Sequence, residues 1–155
     1  MENHQILSKL LLVKPSEPSQ TTSRCMDLKL VECKREHWEF LRGLRNSLKE
    51  GFVCQSEVSE EEHERFMGKN EKSYKVCLGD GEPVGFVGVI NGDVRVGVDK
   101  RLQKQGVAKF MIKSLIESEL DFYAKVKVNN EASIKLFESC GFIKKYYILE
   151  YEKPI

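Results

Sequence analysis

DVRVGVDKRLQKQGVAKF, the sequence of residues 93–110, places a valine-rich strand directly before a basic loop and the start of a helix. The alternating valines predict a strand that ends near Val98. The apolar spacing that begins with Val107 and Phe110 predicts an amphipathic helix over Gly106 to Glu119. This unit predicts a domain in which strands and helices alternate along the chain.

The start of this helix has the chemistry of an anion site. The first backbone N–H groups of a helix have no partners within it and lie at the positive end of its dipole, an arrangement that favours phosphate. Small residues at Gly106 and Ala108 let the backbone approach an anion closely. No acid interrupts the surrounding cations, which are Lys100, Arg101, Lys104, Lys109 and Lys113. The pattern predicts a pyrophosphate site, with a solvated basic loop as the alternative. Neither the Walker pattern G-x-x-x-x-G-K-[ST] nor the dinucleotide pattern G-x-G-x-x-G is present.

A second patterned stretch follows a strand that we expect over Tyr123 to Val128. A helix is predicted over Asn130 to Cys140. Asn130 suits the N-cap of that helix, and Gly141 suits the position after its end. We expect a final strand over Lys144 to Tyr151.

Upstream of residue 93 the pattern predicts two helices and three strands. Ser59 begins a capping box with Glu62, and Asn91-Gly92 is a strong signal for a tight hairpin. The expected strands cover the region around 28–33 and residues 74–78 and 84–90, and the expected helices cover 35–46 and from 60 to about 67. Strands joined by tight turns, followed by strand–helix–strand–helix–strand, predict a mixed α/β sheet with helices on its faces.

Composition narrows the function classes. The chain has 155 residues and a formal net charge of +1, which gives no bulk attraction to nucleic acid or membranes. No apolar run approaches the roughly 20 residues that span a bilayer. The five cysteines and three histidines form no metal-ligand spacing. We therefore expect a cytoplasmic protein with reduced thiols and no metal, in which residues 1–25 are an appendage and linker with a short helical stretch and residues 26–155 are the domain.

Two motifs in the expected order resemble the GNAT superfamily of N-acetyltransferases. The family signature [QR]-x-x-G-x-[GA] is matched by Gln103, Gly106 and Ala108. A later family motif, N-x-x-[AS]-x-x-L-[YF]-E-x-x-G-F, is matched over residues 130–142. The resemblance covers roughly residues 26–151. It implies a mostly antiparallel sheet of about six to seven strands, with helices on both faces and with splayed strands 4 and 5.

The resemblance also implies an acetyl-CoA site. The backbone of Val96 and Val98 would pair with the pantetheine arm as an added strand does. Asn130 would bind the pantetheine, unless it is only an N-cap, and Ser133 and Phe137 would lie at the cofactor. The implied pyrophosphate contacts are the amides of Gln103, Lys104, Gln105, Gly106, Val107, Ala108 and Lys109.

The catalytic groups that the family often uses are not all present. The amide of Val98 would polarise the thioester carbonyl, but Phe137 stands where relatives often have a proton-donating tyrosine. Tyr146, Tyr147 or water could replace that tyrosine. Arg95 stands where many relatives have a glutamate that acts as the general base. We therefore expect Arg95 either to bind an anionic group of the acceptor or to pair across the hairpin.

The acceptor is suggested by a looser similarity. Arg45 and Asn46, in a W-E-F-L-R-G-L-R-N helix, resemble a subgroup that acetylates amino-sugar nucleotides in pseudaminic acid biosynthesis. They would line the acceptor side, or they would simply end the helix. We expect an N-acetyltransferase for a small primary amine that acts by direct transfer, as a monomer or homodimer. The alternatives are a peptide or protein N-acetyltransferase and a CoA-binding module without turnover.

Overall fold

A computed structural model describes residues 25–118 and 121–155. The appendage and linker predicted for residues 1–25 therefore lie outside the described residues, apart from residue 25. The strands are β1 (Leu28–Glu32), β2 (Tyr74–Gly79), β3 (Glu82–Ile90) and β4 (Asp93–Val98). The helices are α1 (Trp38–Ser47), α2 (Glu60–Asn70), α3 (Val107–Ile116) and α4 (Glu131–Ser139), with short 3-10 turns at 35–37, 49–51, 71–73 and 100–102.

The four strands form one sheet in the order β1-β2-β3-β4, and every neighbouring pair is antiparallel. The predicted hairpin between β3 and β4 is confirmed, since Asn91 and Gly92 have φ angles of +52° and +82°. Positive φ at both turn positions matches the right-handed twist of the two strands. The hairpin fixes the start of β4 and so the register of the strand that carries the candidate site.

Helices cover both faces of the sheet, as expected. On one face Leu41 and Leu44 of α1 and Met67 of α2 are buried with Val76 and Phe86. The helix α2 begins with the predicted capping box: the Glu62 amide donates to Ser59 Oγ at 3.3 Å, and the Ser59 amide donates to Glu62 Oε2 at 3.1 Å. This helix ends at Asn70, three residues later than predicted.

The other face packs against α3 and α4. Met111 and Ile112 of α3 are fully buried beside Val87, Val94 and Val98, and Phe137 of α4 joins the same cluster. The side chains of alternate residues of β4 therefore lie on opposite faces. Val94 and Val98 lie on the α3 side, while Gly97 lies against Phe86 on the α1 side.

The prediction of six to seven strands was wrong for the described part of the chain, which has four. Residues 123–128 contact β4 through a single parallel bridge, between Asp93 and Tyr123. Residues 144–151 have the composition of a strand, but they form none, because a strand requires a backbone partner and no described residue provides one.

Candidate active site

The outer edge of β4 has unpaired backbone groups. The Asp99 amide, just beyond the strand, donates to the Val84 carbonyl at 3.0 Å, so odd-numbered residues face β3. The Val94 amide faces the other way and donates to the Tyr123 carbonyl at 2.9 Å. Backbone groups alternate in direction along a strand, so the amides and carbonyls of Val96 and Val98 face outward.

The side chain of Asp93 interrupts the ladder between β4 and residues 123–128. In regular parallel pairing, the amide of Lys125 would donate to the carbonyl of Val94. Here that amide donates to Asp93 Oδ1 at 3.4 Å instead. No backbone hydrogen bond joins residues 124–128 to Val96 or Val98 within the described residues. We call the interval between Val96–Val98 and residues 124–128 the wedge.

The N-terminus of α3 follows β4 in the chain, after the loop at residues 99–105. Gly106 is its N-cap residue, with φ +84° and no side-chain cap. The first amide with a partner inside the helix is that of Phe110, which donates to the Gly106 carbonyl at 2.9 Å. Among the described residues the amides of Val107, Ala108 and Lys109 have no backbone partner. A Cβ at Gly106 would meet no atom within 4 Å, so the space beside this N-cap residue is open.

Asp99 organises the loop between β4 and α3, a role that the sequence analysis missed. Its Oδ1 accepts the Arg101 amide at 3.0 Å, and its Oδ2 lies 2.8 Å from Arg101 Nη2. The hydrogen bonds from Arg101 hold the pKa of the Asp99 carboxyl below its usual value. Asp99 therefore neutralises one of the five predicted cations. The only sequence signal for this pair is the close spacing D-x-R.

Gln103 also contacts the end of β4. Its side-chain nitrogen Nε2 donates to the Val98 carbonyl at 3.3 Å. Of the two outward backbone groups of Val98, only the amide therefore has no partner in the described chain. Lys104 and Gln105 are exposed in the same loop, and Lys104 has a φ of +63°. The loop thus turns sharply at Lys104 and again at Gly106 before α3 begins.

The start of α4 lies close to the end of α1. Asn130 Oδ1 accepts the Ser133 amide at 3.2 Å, so the N-cap interpretation of Asn130 is what the structure shows. A Cβ at Gly51 would lie 3.7 Å from Asn130 Nδ2. The Lys127 ammonium donates to the Glu50 carbonyl at 2.9 Å. These contacts place the 49–51 turn beside the end of residues 124–128 and the start of α4.

Two predicted site residues differ sharply in exposure. Phe137 is only 7% exposed, and its ring centroid lies 5.0 Å from that of Phe142 in the core. Its predicted contact with the cofactor stays a prediction. Tyr146 is 87% exposed and forms no hydrogen bond with another described residue, so the structure does not bring it to the wedge.

Arg45 and Asn46 hold the segment between α1 and α2. The Arg45 guanidinium donates to the carbonyls of Cys54, at 2.7 Å, and Ser56. Asn46 donates to the Val58 carbonyl at 3.1 Å and accepts the Val58 amide at 2.9 Å. Their polar groups are occupied within the chain, and their predicted contact with an acceptor stays a prediction.

Arg95 lies on the α2 side of β4. Its guanidinium carbon lies 5.8 Å from the centroid of the Phe66 ring, and Nε lies 3.9 Å from Asp93 Oδ2. The side chain is 39% exposed, so it can still reach a ligand. Its neighbour Tyr74 is buried, and this burial raises the pKa of the phenol, which stays protonated near neutral pH.

An open cleft of about 410 Å³ adjoins the end of β4. One wall is α1, through Phe40, Gly43 and Ser47, and the other includes Asp99, the residue after Val98. Glu39 and Lys100 also line it, so the cleft carries both signs of charge.

Comparison with known proteins decides the family. Residues 35–142 match the family described as the acetyltransferase (GNAT) family. The chain belongs to the GNAT acetyltransferase family. The predicted superfamily and the assignment as an acyltransferase enzyme are thereby confirmed. Comparison with curated proteins finds no significant match.

Solved structures share the fold of this GNAT protein at low sequence identity. The aminoglycoside N-acetyltransferase AAC(6')-Iy in complex with CoA is 19% identical, covers 86% of this chain and 99% of its own, and has a TM-score of 0.65. A mutant of the spermidine N-acetyltransferase SpeG from Vibrio cholerae is 19% identical, with coverages of 77% and 81% and a TM-score of 0.64. A ribosomal-protein-alanine N-acetyltransferase from Brucella melitensis is 20% identical, with coverages of 73% and 83% and a TM-score of 0.59.

Two further observations concern membranes and metal ions. In the part of the chain that the structure describes, every helix is too short or too polar to cross a bilayer. Residues 25–118 and 121–155 contain no group of three or more histidine, cysteine or acidic side chains that could hold a metal ion.

Proposed function

We propose that this GNAT protein transfers the acetyl group of acetyl-CoA directly to the primary amine of a small molecule, with an amino-sugar nucleotide as the favoured acceptor. The observation that carries the donor half of the proposal is the wedge. The outward backbone groups of β4 are followed, after the loop at residues 99–105, by a helix N-terminus with free amides and a glycine N-cap. A linear amide-containing arm followed by a pyrophosphate is complementary to that sequence of groups.

The residues of the site fit this donor. Val96 and Val98 would pair with the pantetheine arm, and Val107, Ala108 and Lys109 would donate amides to the pyrophosphate. Gln103, Lys104, Gln105 and Gly106 would shape the loop around it, and Asn130 and Ser133 would line the far side of the wedge. The lysines at 100, 104, 109 and 113 have no ion pair among the described side chains, so their charges are available to the phosphates.

The transfer requires little from side chains. The lone pair of a neutral amine attacks the thioester carbonyl, and the negative charge that develops on its oxygen is stabilised by the Val98 amide. The carbon–sulfur bond then breaks, CoA leaves as a thiolate, and the new amide nitrogen releases a proton. Phe137 cannot supply a proton to the thiolate, and Tyr146 lies in solvent, so water is the donor that this arrangement supports.

The cleft beside Val98 is the proposed acceptor site. This opening adjoins the end of β4, where the thioester would lie, and its lining includes the carboxylates of Glu39 and Asp99. Each of them is paired with an arginine, Glu39 with Arg42 and Asp99 with Arg101. Arg95, half-exposed over Phe66, offers a guanidinium for a phosphate of a nucleotide. A cleft of this size and an exposed guanidinium favour a small acceptor that carries an anionic group as well as its primary amine.

The proposal predicts both binding and turnover. Isothermal titration calorimetry should detect acetyl-CoA binding, and free-thiol release should follow when amino-sugar nucleotides, polyamines, aminoglycosides and short peptides are offered in turn. Turnover with the sugar nucleotides supports the favoured acceptor, whereas turnover with peptides alone would replace it with a peptide N-acetyltransferase. Binding without thiol release on any acceptor would indicate a non-catalytic module. No binding at millimolar acetyl-CoA would reject the donor site.

Asp93 provides a test of the wedge itself. In Asp93→Ala the Lys125 amide loses its carboxylate acceptor and is free to pair with the Val94 carbonyl, which would extend the ladder into the wedge. Since a hydrogen bond contributes about 0.5–1.5 kcal/mol, we expect the Kd for acetyl-CoA to rise about 3- to 10-fold. Asp93→Asn keeps an oxygen acceptor and should bind nearly as the wild type does. Equal losses in the two variants would show that the charge of Asp93, not its hydrogen bond, matters.

A further inference from the structure

The helix α1 contains a glycine that its own structure does not require. Gly43 lies in the middle of α1, where glycine destabilises a helix relative to alanine. A helix requires glycine where φ is positive or where another group approaches the backbone closely. Gly43 does not have a positive φ, and a Cβ built on it would meet no atom within 4 Å. A larger residue would therefore fit this position without strain.

The place of Gly43 in the acceptor cleft indicates what the missing side chain does. Phe40, Gly43 and Ser47 are spaced by four residues or fewer, so they lie on one face of α1, and all three line the cleft of about 410 Å³. Gly43 is the middle residue of that face. Because side chains point outward from a helix, a side chain at position 43 would extend into the cleft.

The two walls of the cleft differ in chemistry. The α1 wall presents the half-buried ring of Phe40 and the bare backbone of Gly43. The Ser47 hydroxyl donates to a carbonyl of its own helix at 2.7 Å, so its proton is not available to a ligand. The other wall carries the polar side chains of Asp99 and Lys100. A complementary occupant has an apolar face on one side and polar groups on the other.

A sugar ring has this character. Its C–H groups form an apolar face, and its hydroxyl groups lie around the rim. Such a ring is wider than a linear chain, so it needs the space that a side chain at position 43 would fill. The cleft, at about 410 Å³, has the size of a small-molecule site, for which roughly 300–1,000 Å³ is typical.

We propose that Gly43 is a specificity-determining residue, which admits the sugar ring of the acceptor by leaving the α1 wall bare. This inference rests on the proposed function, because it assumes that the acceptor binds in this cleft. It adds that a ring-shaped amine is selected over a linear one through the missing side chain. One extra methylene group in an apolar site changes discrimination by roughly 10–200-fold, so a leucine side chain is large enough to change the preference.

Two acceptors of different shape test the assignment. Free-thiol release gives kcat/KM for UDP-glucosamine and for the linear amine spermidine, and the wild type should prefer UDP-glucosamine. Gly43→Leu should lower the ratio of the two values by at least about 10-fold, whereas its Kd for acetyl-CoA should stay that of the wild type. Gly43→Ala should lower the ratio less, while its Tm rises because alanine is the better helix former.

Gly68→Leu is the matched control. Gly68 is exposed inside α2, its would-be Cβ also meets no atom within 4 Å, and it does not line the cleft. This variant should keep the wild-type ratio. An unchanged ratio in Gly43→Leu, equal losses with both acceptors, or a wild type that acetylates only spermidine would overturn the inference and leave the acetyltransferase standing. The absence of thiol release with every amine would instead reject the proposed function and the inference with it.

Discussion

Replacing Gly106 with glutamate is expected to abolish the binding of acetyl-CoA while leaving the domain folded. Gly106 is the N-cap residue of α3, and a side chain there would extend into open space beside the start of the helix. A carboxylate about 4 Å from a phosphate charge costs about 4 kcal/mol at an effective dielectric constant near 20. We therefore expect the Kd to rise at least about 100-fold, which corresponds to about 2.7 kcal/mol. Calorimetric titration with acetyl-CoA measures it.

Gly141→Glu is the matched control for this variant. Gly141 has a φ of +95°, compared with +84° for Gly106, and neither glycine has an atom within 4 Å of its would-be Cβ. Both substitutions thus carry the same backbone strain of about 1–2 kcal/mol, but Gly141 follows α4 and lies away from the proposed phosphates. Gly141→Glu should bind acetyl-CoA as the wild type does. A similar loss in both variants, or normal binding by Gly106→Glu, would show that the phosphate site is wrongly placed.

The sequence predicted the elements whose causes are local. The Asn91-Gly92 hairpin, the Ser59–Glu62 capping box and the N-cap at Asn130 each depend on residues within four positions of one another. Such contacts involve only neighbouring residues, so a short pattern is enough to recognise them. The order of strands and helices up to α3, and the helix α4, followed from these local signals and from the apolar spacing.

The edge of the sheet could not be predicted in the same way. A valine-rich stretch such as residues 123–128 has the propensity of a strand, but whether it pairs depends on a partner far along the chain. Here a single carboxylate, that of Asp93, accepts the Lys125 amide and ends the pairing after one bridge. Residues 144–151 likewise have strand propensity without a partner. Propensity describes one segment, whereas pairing requires two.

The candidate site likewise contains local features that the sequence predicted and other contacts that it did not. The pattern of Gln103, Gly106 and Ala108 identified the helix N-terminus, because the required glycine and the small residue lie close together in the chain. The pairing of Asp99 with Arg101 and the contact of Lys127 with the Glu50 carbonyl were missed. The second of these joins residues 77 positions apart, and no periodicity in the sequence records it. Arg45 and Asn46 matched a family pattern, yet their polar groups hold a loop of their own chain.

A single methyl group at position 85 is expected to destabilise the protein strongly. Gly85 is buried in β3 opposite Val98, and a Cβ there would lie 2.8 Å from the Gly97 carbonyl oxygen and 2.9 Å from Met111 Cε. The methionine can move, but the carbonyl belongs to the adjacent strand and cannot retreat without disturbing β4. Overpacking of this kind costs about 1–3 kcal/mol, occasionally more, and we expect about 3 kcal/mol for Gly85→Ala. The Tm should fall by about 6–12 °C in a chain of this length.

Gly68→Ala is the matched control for Gly85→Ala. Gly68 is exposed inside α2, and its would-be Cβ meets no atom within 4 Å. Alanine in a helix interior is favoured over glycine by about 0.5–1 kcal/mol, so Gly68→Ala should raise the Tm slightly. Opposite signs for one chemical change would locate the effect in the contact between Gly85 and the Gly97 carbonyl. Because that carbonyl is in β4, Gly85→Ala should also weaken acetyl-CoA binding below its melting temperature. A destabilised variant with unchanged affinity would mean that β4 adapts without altering the wedge.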